Sequence, residues 1–421
     1  MSNINKKIVI PALCLFLIGS ACAQKSSGAK ENIKNKPKTP VTAKVNENKK
    51  KADEKMRTNI NTFSGKSFAE LFKYEQRKNP ERSMIYSPYS YLSTLSMLNK
   101  YTEFNKDNEL HKYDGMDFEN YKVNNIETKN LVLVNGDQKQ KKINTKEFQI
   151  VKFPKEAEAK SKKLQQDVLK EVLLDPDYKD PGIEAVFLNA TRFLGYWSKE
   201  FEKERTNKKP YTLLNGKEIT VDMMRSGNLA KDCDKAVEDD NIQVYRKPLK
   251  ENKKSDKVSG YAYVIKPKNI VKNDKELNKV AEKLTEYVDS YDKKAKEYDE
   301  VYLKMPKIDI KSTYALHEME RENNKKFMND SYKFKGKFAK ASNKPMNISE
   351  IVQVAKLEVN EEKVEAKAVT GMVMTTSLPP APQNIFELNA DSPFFLVTTS
   401  FDTNRKEVIS FVSFINNPIQ K

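Results

Sequence analysis

The sequence predicts an α+β fold with large sheets, on three observations. Helical apolar rhythm dominates the first half of the chain, and short runs rich in β-formers dominate the second. No βαβ winding, internal repeat or glycine-rich phosphate loop breaks that segregation, and only 12 of 421 residues are glycine. An apolar fraction of 38% can build a sizeable core, within reach of one large mixed domain.

Ordered patterning begins near Ser67, where Phe68, Leu71 and Phe72 share one helical face. Ser87-Pro88 breaks the chain, and a helical rhythm resumes from Tyr89 to Leu98. Pro154 opens a helix predicted over Lys155 to Leu174, with Leu164, Val168 and Val172 four apart. Asn273 or Asp274 can cap a helix carrying Leu277, Val280, Leu284 and Tyr287. Strands are predicted at Val186–Asn189, Tyr261–Ile265, Val352–Val359, Phe394–Phe401 and Val408–Ile415.

The N-terminus reads as an export signal. Lys6 and Lys7 precede an apolar run from Ile8 to Gly19, too short to span a bilayer. Small residues before Cys22 resemble a lipoprotein box, with Cys22 lipidated; Ala21-Cys22-Ala23 also fits ordinary signal cleavage. Residues 1–22 are therefore assigned as the signal, 23–58 as a disordered Lys-rich tether and 59–421 as the folded domain. The expected location is a membrane-anchored lipoprotein at the cell surface or in the periplasm, or else a secreted, extracellular protein.

Composition narrows the chemistry. The net charge of +17 favours acidic partners, such as an anionic membrane or a polyanion, but no aromatic-rich basic motif marks a specific nucleic-acid reader. Three cysteines, one of them inside the signal, build no disulfide framework. His111 and His317 stand far apart with no metal-ligand spacing, so neither a histidine triad nor a zinc site is expected. No cofactor is implied.

One segment carries the functional argument. In steps of two, Val364, Ala366, Ala368, Thr370, Met372, Met374 and Thr376 are all small or apolar. The intervening set, from Lys363, Glu365 and Lys367 to Val369, holds all the charge. This alternation suits a strand with one buried face, yet it runs into Ser377-Leu378-Pro379-Pro380, which cannot continue a central strand. Asn360-Glu361-Glu362-Lys363-Val364-Glu365-Ala366-Lys367-Ala368-Val369-Thr370 resembles the hinge of the serpin family, with Lys363, Val364 and Lys367 departing from its Gly, Thr and Ala. Further resemblance lies in Ser87-Pro88-Tyr89-Ser90, in Leu188-Asn189-Ala190 with Phe193, Gly195 and Trp197, in Pro306-Lys307, and in Asp391-Ser392-Pro393-Phe394-Phe395.

The resemblance implies a serpin fold: three β-sheets, eight or nine helices and an exposed reactive-centre loop. It implies a monomeric suicide-substrate inhibitor, not an enzyme. The loop would be cleaved near Ser377-Leu378, within Met374–Ala381, and insert into the central sheet with the protease still attached. No Lys or Arg lies within Ala368–Asn404, so the implied partner is an elastase-like serine protease or a papain-like cysteine protease. Ser87, Ser90, Asn189 and Gln353 would form a polar gate beneath the sheet, and Trp197 would sit where the loop first enters. The alternative implied is a non-inhibitory serpin that acts as a binding or carrier protein. Cys22→Ser is expected to remove fatty-acid mass from the mature N-terminus, as read by intact mass spectrometry; an unchanged mass would point to ordinary signal cleavage.

Overall fold

The computed structural model describes residues 40–136, 142–175, 177–268, 274–364 and 384–420. Cys22, Glu365 to Thr370, Ser377 and Leu378 lie outside them. The chain divides into two compact units, Met1–Glu47 and Asn48–Lys421, and all the strands described belong to the second.

Seven α-helices occur among the described residues: α1 (Pro40–Lys78), α2 (Pro88–Tyr101), α3 (Lys155–Leu169), α4 (Asp274–Glu282), α5 (Leu284–Asp289), α6 (Tyr291–Lys294) and α7 (Leu316–Glu322). The strands are β1 (Met84–Tyr86), β2 (Thr102–Glu103), β3 (Ile126–Asn135), β4 (Phe148–Val151), β5 (Ala185–Phe193), β6 (Gly195–Trp197), β7 (Asn207–Thr212), β8 (Glu218–Arg225), β9 (Lys235–Glu238) and β10 (Ile242–Lys250). They continue as β11 (Val258–Pro267), β12 (Lys296–Glu297), β13 (Glu300–Pro306), β14 (Ile308–Ala315), β15 (Lys333–Phe334), β16 (Val352–Val359), β17 (Lys363–Val364), β18 (Ile385–Asn389), β19 (Phe394–Phe401) and β20 (Glu407–Ile415).

The largest sheet runs β1-β20-β19-β11-β10-β6-β17, with β9 and β12 beside β10. A four-stranded sheet runs β18-β13-β8-β7, and β2 pairs with β15. Two further ladders, β4-β3-β5 and β14-β16, face each other across a cleft.

Spacing explains the core. Met56, Ile60, Ser64, Phe68 and Phe72 recur every four residues of α1 and are all buried. Phe72 meets Phe414 of β20 at 5.1 Å and Phe395 of β19 at 5.5 Å between ring centroids. Burying such a ring stabilises by roughly 1.5–3 kcal/mol. Ser87 caps α2 by accepting the Ser90 N–H, and Pro88 occupies the first turn, where a missing N–H costs nothing.

The structure corrects several expectations. Helix α1 starts at Pro40, so residues 40–58, assigned to the tether, are helical here: their Ala, Glu and Lys are good helix formers, and Met56 is buried in the core. Helix α3 stops at Leu169, because Lys170 turns left-handed at φ 65°. Gln165 then accepts the N–H groups of Leu173 and Leu174, leaving Val172 exposed instead of on the helix face. The helix expected through Tyr287 breaks at Lys283 into α4 and α5. Strands β3 and β4 lie in a region where the sequence pattern indicated none.

Glu320 of α7 is buried; its Oε1 accepts the Tyr91 hydroxyl at 2.7 Å, and its Oε2 has no partner among the described residues. Burial pushes this carboxyl up to about 6, against the pull of the Tyr91 bond. An acid raised in the fold withdraws stability as pH climbs from its unfolded value through its folded one. Glu320→Gln is therefore expected to stabilise at pH 7.5 by roughly 1 kcal/mol more than at pH 5. Thermal unfolding at the two pH values checks this; an equal change at both would refute it.

Candidate functional site

Strands β5 and β16 both continue, directly or through a short turn, into chain that meets at the top of the cleft. β5 runs through Leu194 into β6, and β16 turns at Asn360–Lys363 into β17. β17 then pairs antiparallel with β6, Lys363 opposite Tyr196 and Val364 opposite Gly195. Gly195 belongs there because an added Cβ would lie 3.0 Å from the Phe193 ring and 3.1 Å from Leu249. β17 runs antiparallel to β16 through the turn and antiparallel to β6 through the ladder, so β5 and β16 are parallel to each other. Among the described residues no ladder joins them. The cleft between them has a volume of about 130 Å³ and is lined by Ser87, Asn189, Thr191, Phe193, Gln353 and Leu357, among others.

The cleft floor is polar, and its gate residues bind one another and the backbone. Gln353 binds the Ser87 backbone twice, accepting its N–H and donating to its carbonyl, both at 2.9 Å. The Ser87 hydroxyl donates to the Ser410 carbonyl at 3.2 Å. The Ser90 hydroxyl donates to Asn189 Oδ1 at 2.6 Å, and Asn189 Nδ2 donates to Thr128 and Asn130. The four residues expected at the gate thus stand together in two linked pairs, Ser87 with Gln353 and Ser90 with Asn189. The pairing follows from alternation: Asn189, Thr191 and Phe193 point from β5 to the side of α2, as Gln353 does from β16.

The hinge turn is held from three directions. Its backbone closes by the Asn360 N–H donating to the Lys363 carbonyl at 2.9 Å. The carboxylates of Glu361 and Glu362 are buried and met by cations from separate segments: Lys307 reaches Glu361 at 2.8 Å, while Lys203 and Lys253 reach Glu362 at 3.3 and 2.8 Å. Thr206 adds a hydroxyl to Glu361 at 2.9 Å. Burial opposes ionisation of Glu361, but the bonds from Lys307, its own backbone and Thr206 outweigh it and hold the carboxyl below its ordinary range. Trp197 lies beside the turn, its indole N–H donating to the Asn360 carbonyl at 2.9 Å. Lys363, on the outward set of the alternation, is nonetheless buried, its ammonium 6.0 Å from the Tyr196 ring it pairs with. It sits in an extended ladder that any residue adopts, so the family's glycine is not required there.

Sequence reasoning gave no role to Lys203, Lys253 or Lys247. One surface lysine looks like another in a chain this basic, and only the fold carries these to the hinge. Lys247 alone had a local signal: it interrupts the β-rich run of β10 at a position that is fully buried.

Comparison with known proteins agrees with this geometry. Residues 138–418 match the family described as Serpin (serine protease inhibitor). An uncharacterized serpin-like protein of Methanosarcina mazei is 27% identical over 53% of this chain and 49% of its own length. Antitrypsin of Bombyx mori is 29% identical over 53% of this chain and 54% of its own. The chain thus spans about half the length of the curated relatives it matches. Among solved structures, native Arabidopsis AtSerpin1 superposes with a TM-score of 0.63 at 16% identity, over 86% of this chain and 98% of that one. Human thyroxine-binding globulin superposes at 0.61 and 16%, over 87% and 99%. Protease nexin-1, solved with heparin, superposes at 0.61 and 19%, over 86% and 99%. With a split sheet, a polar gate and a clamped hinge joined to a family match over most of its length, the chain belongs to the serpin family.

Proposed function

We propose that this protein is a suicide-substrate protease inhibitor whose loop, after cleavage, inserts between β5 and β16. The observation that carries the reading is the register of β17. Each further loop residue in that register pairs one residue further back along β6 and β5. Ala366 would then lie opposite Phe193, Ala368 opposite Thr191 and Thr370 opposite Asn189. The turn at Asn360–Lys363 brings the same three residues opposite Leu357, Ala355 and Gln353 of β16. Both registers direct the uncharged set to the inner face, where Leu357 and Val359 are buried. Glu365 and Lys367 would face the other way, while Lys363 of the same set is already buried at the turn.

The chemistry needs no catalytic group on this chain. The nucleophile of the target attacks the carbonyl carbon near Ser377, and the bond to Leu378 breaks. The new amine leaves with a proton, and the protease stays joined through an ester or thioester. Insertion then fills two ladders with backbone hydrogen bonds, each worth about 1 kcal/mol net, and buries the apolar set at roughly 25 cal/mol per Å². The small and apolar residues about Ser377 suit an elastase-like or a papain-like enzyme. We further propose a lipid anchor at Cys22 and contact of the basic surface with anionic membrane or polyanion; protease nexin-1, a fold neighbour, was solved with heparin.

A second reading is a binding or carrier protein, as fold neighbours include thyroxine-binding globulin in complex with its ligand. It is favoured by the lysines at 363 and 367, which depart from the hinge pattern.

Incubation with an elastase and with papain separates the two. A band at the summed mass that survives denaturation, with a released peptide starting near Leu378, is the expected outcome; no such band from a broad protease panel would overturn the inhibitor reading and favour the non-inhibitory one. Ala366→Arg places a guanidinium between Phe193 and Leu357, where an uncompensated charge costs several kcal/mol. The variant is expected to be cleaved and released as a substrate, and unchanged trapping would refute insertion in this register.

A further inference from the structure

Lys247 lies in the middle of β10 with no exposed surface. Its ammonium donates to the Lys199 carbonyl at 2.7 Å and stands 5.4 Å from the Trp197 ring and 5.1 Å from the Phe201 ring. Those two rings meet edge to face, with centroids 5.7 Å apart. A cation over aromatic faces is attracted by their quadrupoles, more strongly where water is excluded. A methionine would fill the same stem volume without desolvating a charge, so packing alone does not account for a lysine here.

What the two aromatic residues hold gives the lysine a consequence. The Trp197 indole N–H donates to the Asn360 carbonyl, the Trp197 backbone N–H to Glu362 O at 3.2 Å, and the Phe201 N–H to Glu361 O at 2.8 Å. Three successive hinge carbonyls thus rest on two residues, and both of those rest on one buried ammonium. We propose that Lys247 is the positioning residue of the hinge: its positive charge fixes Trp197 and Phe201, and loss of that charge loosens the turn Asn360–Lys363.

The groups facing the ammonium are few. Asp232 approaches to 4.0 Å through Oδ2, which makes no hydrogen bond among the described residues, while its Oδ1 takes the Ser198 hydroxyl. Lys199 turns its own ammonium to the Asn228 carbonyl. Cys233 and Tyr245 lie on the same side, the Tyr245 hydroxyl donating to the Cys233 carbonyl at 3.4 Å. β11 supplies only Ala262 opposite Lys247. Burial pushes the Lys247 amine down to about 8, and Asp232 only partly opposes it. A lysine lowered in the fold loses its charge at a pH where an exposed one keeps it. The cation beneath the rings therefore disappears as pH rises through that value; burial lowers the amine whether the turn is held or loose, and the contacts with the rings couple its charge to the turn.

The inference concerns the resting protein and stands whether or not a protease is trapped. Its test contains no protease. Trp197 is the only tryptophan, so emission of the intact protein reports on this site alone. From pH 6.5 to 9.5 the parent's emission is expected to titrate with a midpoint near 8, and Lys247→Met and Lys247→Arg are expected to be flat. Hydrogen exchange at the Trp197 and Phe201 amides, corrected for base catalysis, is expected to be on the order of tenfold faster in Lys247→Met than in Lys247→Arg. The parent should move from the slow to the fast behaviour across the midpoint. A parent-like emission titration persisting in Lys247→Met would assign it to another group and overturn the proposal. Equal exchange at the two amides in both variants would do the same. If either variant fails to fold, the parent decides alone: corrected exchange that stays level through the midpoint overturns it.

Discussion

Among the described residues, two parallel strand edges face each other without a ladder between them, and much of the structure answers to that. Backbone N–H and C=O groups inside a protein need partners, and an edge that lacks them is a template for another strand. β5 and β16 are such edges. A strand running antiparallel to each satisfies both at once, and β17 already starts in that sense against β6. The polar gate below is consistent with a cleft that must close without being glued. Ser87, Ser90, Asn189 and Gln353 bind one another and the backbone through neutral groups, which exchange partners at modest cost.

The top of the cleft is organised on the opposite principle. There charges are concentrated on four residues of turn. Two buried carboxylates draw lysines from three separate segments, and each of those lysines keeps about half its side chain in water. That partial exposure matters. It lets the cations stay hydrated on one side, so the pairs hold the turn without a fully desolvated ion on each side of every bridge. Lys247 is the exception, being wholly desolvated and compensated by rings and one carbonyl. The gate is thus held by neutral bonds and the hinge by ionic ones.

Much of this was legible in the chain. Strands β16 and β19 fall on the predicted residues: β16 alternates in burial, and β19 is a continuous run of β-formers bounded by Pro393 and Asp402. The gate residues were named through family resemblance, and the fold stands them together. Other elements were obscured. β3 was missed although Leu131–Val134 is a buried apolar run, because that run is short and the preceding half of the strand, Glu127–Asn130, is polar. The overlong reading of α3 came from treating Val172 as the next residue of an apolar stripe, when Lys170 had already left the helix. The early start of α1 was hidden by composition: lysine-rich chain reads as solvated whether or not it is helical.

By itself, the sequence determined the class of fold, the uncharged inner set of the loop and the absence of a basic residue around Ser377. These are local properties, set by spacing and side-chain type. Only the tertiary structure decided which lysines clamp Glu361 and Glu362, that Lys247 lies beneath Trp197, and that Val364 pairs with Gly195 across β17 and β6. Each depends on segments far apart in the chain meeting at one turn, and pairing across such distances leaves no periodicity in either segment to be read.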